Sequence, residues 1–114
     1  MELAISIRQP YTEMILRGIK TVEFRSYPTN VRGRVMLYAT KKLAESNSLL
    51  YEAEKAGIVL ADLPMGKIVG SVEIVDCQDY DHGLYGYVLR KPKRYDVPWQ
   101  AFGHPQPCFW KPQI

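Results

Sequence analysis

Lys20, Glu23 and Arg25 lie within six residues of one another in the stretch RGIKTVEFR, Arg17 to Arg25, directly after Gly18. A lysine held beside a carboxylate and an arginine stays in position and charged, and a planar guanidinium fork matches phosphate or carboxylate oxygens. Read this way the three residues form an anion site. The same carboxylate could shift the lysine's proton affinity according to burial, and Lys20 and Glu23 would then be a general acid–base pair for attack on an amide or a phosphodiester. A purely structural ion pair between Glu23 and a neighbouring cation would use the same residues. Strand alternation puts Thr21, Glu23 and Arg25 on one side and directs Val22 and Phe24 inward from the other.

A second basic run, RKPKR from Arg90 to Arg94, is broken by a proline. It is either a solvated loop or a rim that follows a phosphate backbone without reading bases. Tyr87, Tyr95, Trp99, Phe102, Phe109 and Trp110 surround or follow it. Rings interleaved with cations suit stacking and phosphate contacts in a single-stranded nucleic acid, although a small barrel also needs such rings in its core. His82 and His104 sit in turn-like contexts, and Cys77 and Cys108 lack metal-ligand spacing. No metal and no cofactor is expected, since the chain carries no phosphate loop, dinucleotide fingerprint or nucleophile elbow.

The elements that must position these groups are short. LAISI alternates as a half-buried strand. RQPYTEMILRG reads as a helix with Pro10 at its first position, Tyr11, Met14 and Ile15 on one face, and Gly18 as its stop. KTVEFRS is the next strand, YPTNVRGR a turn, and RVMLYAT a third strand. Residues 44–56 predict a second helix ended by Gly57. GKIVGSVEIVDC is the longest strand, with Gly70 marking a bulge or bend. LYGYVL is a shorter strand, residues 90–107 are mostly loop because of their prolines, and a last strand falls near CFWK. The expected fold class is α+β: one domain over residues 1–114, a small mixed or antiparallel β-barrel flanked by two or more short helices.

With 114 residues, 46% of them apolar and 24% charged, the chain can build one core and is neither disordered nor fibrous. No apolar run approaches the roughly 20 residues of a membrane helix. Few cysteines and no apolar leader after Met1 point to a reduced, cytoplasmic protein. Residues 1–44 carry eight Lys/Arg against three Asp/Glu, and residues 82–114 five against one, whereas residues 45–81 carry two against eight. A fold that joins the two ends therefore has a basic face suited to an anionic partner.

The stretch SIRQPYTEMILRGIKTVEFRSYPTNVRGRV resembles the ASCH domain, a module named for its homology to a transcriptional coactivator. The family pattern runs through Ser6, Gln9, Pro10, Tyr11, Gly18, Lys20, Glu23, Arg25, Ser26, Arg32 and Gly33, and continues more loosely through GSVEIVDC and the terminal FW. The resemblance implies a barrel like that of PUA domains, with the charged motif lining a cleft, and members that bind RNA or DNA. Combined with the anion-site reading, ligand or nucleic-acid contacts are expected at Arg8, Gln9, Tyr11, Lys20, Glu23, Arg25 and Ser26. The expected partner is single-stranded RNA, DNA or a nucleotide. The alternative is a small hydrolase, a ribonuclease or a nucleoside amidohydrolase, with Lys20 and Glu23 catalytic. One bacterial branch of the family deacetylates acetylcytidine with a Lys, a Thr three residues later and a separate Glu. Lys20 matches the first, whereas Glu23 stands where that branch has Thr. A protein partner, with the cleft binding a peptide carboxylate, is a third reading.

Overall fold

The computed structural model describes residues 2–113. The elements follow in the order β1 (Ala4–Gln9), α1 (Tyr11–Leu16), β2 (Val22–Arg25), β3 (Gly33–Leu43), α2 (Asn47–Lys55), a 3-10 turn (Leu60–Asp62), β4 (Lys67–Asp79), β5 (Tyr85–Gln100) and β6 (Phe109–Trp110). The six strands form one sheet in the order β2-β5-β4-β3-β1-β6. The β1–β3 pair is parallel and the others are antiparallel. The sheet is thus mixed, as alternating strands joined by short turns and one helical crossover require.

Alternation distributes β1 and β3 between two apolar clusters. Ile5, Ile7, Val35, Leu37 and Ala39 join Val69, Val72, Ile74, Leu89 and Ile15 of α1 in the main core. Ala4, Met36, Tyr38, Ile68 and Trp110 form a second cluster, in which Trp110 meets Tyr38 edge-on at 5.2 Å. Among the described residues no ladder joins β2 to β6. The Arg25 side chain spans from β2 to the far strands instead, its Nη2 donating to Ser6 O of β1 at 2.6 Å and its Nη1 to Pro107 O at 3.0 Å.

Two glycines set local geometry. Gly18 leaves α1 at φ +76°, which lets the amides of Ile19 and Lys20 fold back onto Met14 O. At Gly70 a β-carbon would strike Lys93 O and come within 2.8 Å of Leu16 Cδ2, so α1 and β5 can approach β4 only because that position has no side chain. The register shifts at this point, as the sequence predicts.

Three expectations are corrected. Pro10 is the residue before α1 and not its first turn. Phe24 is not inward: it is exposed and meets Tyr80 edge-on, whereas Glu23 is buried. The charged side of β2 faces into the protein, because Arg25 and Lys20 compensate the carboxylate there. Residues 90–100 are strand and not loop. The distal part of β5 pairs with β4 alone, so Pro92 and Pro98 sit where a missing N–H costs no ladder bond.

Candidate functional site

A cleft of about 570 Å³ opens where β1, β2 and β3 meet the C-terminal loop. Ser6 and Arg8 come from β1, Glu23 and Arg25 from β2, and Tyr38, Thr40, Lys41 and Lys42 from β3. Tyr11 of α1 and the Pro105–Pro107 segment complete the wall. Its volume falls in the range of small-molecule sites.

Glu23 lies at the buried end of this lining, 6% exposed. Its Oε2 accepts from Arg25 Nε at 2.8 Å, and its Oε1 lies 3.3 Å from Lys20 Nζ. Two cations on one buried carboxylate compensate its charge and fix its plane. Lys20 is itself pinned, with Nζ 4.7 Å from the Tyr11 ring centroid and 5.6 Å from that of Phe24. It stands beside the cleft, behind Tyr11 and Glu23, and its side chain is only 12% exposed. Arg25 holds both Glu23 and the Pro107 carbonyl, so one side chain orients the acid and anchors a wall of the cleft.

The remaining lining differs in polarity from end to end. Ser6 Oγ is buried and has no protein partner, leaving its donor and acceptor capacity open. Tyr38 is buried, which pushes its phenol above the ordinary value and keeps it a neutral hydrogen-bonding group. Arg8, Lys41 and Lys42 are exposed. Arg8 has only a loose ion pair, 3.9 Å to the exposed Glu45, worth little in water.

Of the residues singled out in the sequence, Arg8, Tyr11, Glu23 and Arg25 line the cleft and Lys20 backs it. Gln9 does not reach the cleft wall. It is fully buried, its Oε1 accepts from the Glu13 amide at 3.0 Å, and its Nε2 donates to Pro64 O at 3.1 Å. Ser26 is exposed just past β2 and outside the lining. Lys41 and Lys42 were not singled out, since the only trace of them is a basic pair at the end of a predicted strand. The Pro105–Pro107 wall left no trace beyond its prolines.

A second buried acid went unread. Glu13, 5% exposed, accepts from both Nη atoms of Arg94 at 2.8 Å and from Arg17 Nε at 2.7 Å. Burial would raise this carboxyl, but the Arg94 and Arg17 hydrogen bonds outweigh it and hold the group below its ordinary value. Arg94 is therefore a fastener between α1 and β5. Among the described residues no cluster of His, Cys, Asp and Glu could hold a metal, and Cys77 and Cys108 are free thiols. Nor is any described helix long and apolar enough to cross a membrane.

The ASCH domain model matches residues 5–96, which include most of the cleft's lining. The chain belongs to the ASCH domain family. Human activating signal cointegrator 1 is 35% identical over 129 aligned positions, which take in 94% of this ASCH chain and 22% of the human protein. The mouse protein of the same name is 28% identical over the same shares. This ASCH chain thus spans about a fifth of the length of the curated relatives it matches.

Proposed function

We propose that this ASCH domain acts as a single unit that binds single-stranded nucleic acid, seating one nucleotide in the cleft. On this reading the sheet, with Arg25 tying β2 to β1 and the loop before β6, is the PUA-like barrel of the family. The observation that carries the proposal is the graded lining: a buried Glu23 near the unpartnered Ser6 hydroxyl, followed by exposed Arg8, Lys41 and Lys42. A base with an amino group suits the first, since a carboxylate accepts from an exocyclic N–H. A phosphate suits the second, and Tyr11 supplies a ring for stacking. Binding is favoured over hydrolysis because Lys20 Nζ is held between Glu23 and the Tyr11 ring, leaving it poorly placed to exchange protons with a substrate.

Salt-dependent RNA binding tests this. Affinity should fall with a log–log slope of about −0.7 per neutralised phosphate, and Lys41→Ala with Lys42→Ala should make the slope shallower by about 1.4. Lys20→Met should weaken binding indirectly, because Glu23 loses the cation 3.3 Å from its Oε1 that positions it at the cleft. Glu23→Gln should weaken it less and change base preference. RNA or acetylcytidine turnover that Glu23→Gln abolishes while binding survives would replace this reading with the hydrolase.

A further inference from the structure

One aromatic platform lies outside the cleft and is joined to it by the sheet itself. Ser6 pairs with Tyr38, Tyr38 with Ile68, and Ile68 with Trp99, so a single cross-strand row runs from the cleft through β3 and β4 to the distal part of β5. Three strand spacings amount to roughly 14 Å. At the far end Trp99 stacks on Tyr95, with ring centroids 4.3 Å apart and planes at 21°. Tyr95 packs against the same cluster that contains Tyr38, so the platform has a fixed base. Trp99 remains 42% exposed and Phe102, on the loop that returns toward the cleft, 58% exposed.

Two stretches connect the platform with the cleft, and one of them carries lysines. Phe102 leads through His104 to the Pro105–Pro107 wall. On the other side Lys41 lies over Gly66, and the adjacent Lys67 donates to Gln100 Oε1, next to Trp99, at 3.0 Å. An exposed ring backed by a second ring, with lysines between it and an anion-suited cleft, is the combination that single strands use: bases stack while the backbone follows the cations.

We infer that the strand whose nucleotide occupies the cleft continues over this surface and stacks a neighbouring base on Trp99. The inference rests on the nucleic-acid reading of the cleft and extends it from a nucleotide pocket to a track. It commits to an extended single strand, because a duplex hides the base faces that Trp99 would need.

The two tryptophans make the test direct, since Trp99 is exposed and Trp110 is 5% exposed. Intrinsic fluorescence would be followed while wild-type protein is titrated with mixed-sequence single-stranded RNA of about eight nucleotides, with the same RNA as a duplex, and with the four nucleoside monophosphates. The single strand should quench strongly, and the duplex and monophosphates weakly. Trp99→Ala should lose about tenfold or more in affinity for the single strand, Trp99→Phe should retain most of it, and monophosphate affinity should stay unchanged in both. Length-dependent binding without quenching, and unaffected by Trp99→Ala, would overturn the track and leave the cleft reading standing. Absence of binding to the strand and to every monophosphate would remove both.

Discussion

Replacing Arg25 by alanine should cost this domain far more than loss of a surface arginine. Its guanidinium makes three bonds, to Glu23 Oε2 at 2.8 Å, Ser6 O at 2.6 Å and Pro107 O at 3.0 Å. The side chain is 20% exposed and that of Glu23 9%, so the pair is largely desolvated. Removing one partner of a buried pair typically costs about 3–5 kcal/mol, because the other charge stays behind. Lys20 still faces Glu23, which favours the lower end, whereas the two abandoned carbonyls push toward the upper. At about 2.1 cal/mol/K per residue, a chain of 114 residues has an unfolding entropy near 0.24 kcal/mol/K, so Tm should fall by roughly 12–20 °C. Calorimetry on wild type, Arg25→Ala, Arg25→Lys, Glu23→Gln and Arg25→Ala combined with Glu23→Gln would measure this. Arg25→Lys should fall between the extremes, since one ammonium cannot reach all three acceptors. The Arg25 and Glu23 substitutions should couple by more than about 0.5 kcal/mol. A Tm drop below about 4 °C, or additivity of the two, would refute the claim that Arg25 ties β2 to β1 and the C-terminal loop.

Two further outcomes follow from the packing and the buried acid. Gly70→Ala should destabilise by about 1–3 kcal/mol or more in a denaturant titration, because its methyl group must displace Lys93 O and Leu16, and a neutral result would mean that α1 can move aside. Glu13, whose folded pKa lies below the ordinary 4.5, contributes stability that is complete above the unfolded value and lost as pH falls through the lower folded one. Acid unfolding of Glu13→Gln should therefore show less pH dependence below about 4.5 than wild type, and identical pH profiles would contradict this assignment.

The sequence announces which residues share a strand face more readily than which face is inside. Glu23 and Arg25 share one side of β2, yet apolar Phe24 is the exposed residue, because a buried carboxylate with two cations can take the inner side when an aromatic finds Tyr80 outside. Gly18 and Gly70 were legible, since each marks a backbone demand that a side chain cannot meet. The length of β5 was hidden by prolines, which stop a central strand and are harmless on an unpaired edge. Gln9 carried no trace of its fate: an amide that caps a short helix and bonds a distant loop looks, in sequence, like an exposed ligand. Lys41 and Lys42 become part of the cleft only because the parallel β1–β3 pair sets the end of β3 beside Arg8, a long-range pairing that local periodicity does not encode.

The central claim, that the cleft between β1, β2 and β3 holds one nucleotide of a single strand, is tested most directly by an amide chemical-shift titration of the wild-type protein with a nucleoside monophosphate series. The account predicts saturable shifts at Ser6, Arg8, Glu23, Thr40 and Lys42, larger for bases that carry an exocyclic amino group. Saturable shifts that map elsewhere, or none at any of these residues for all members of the series, would contradict it.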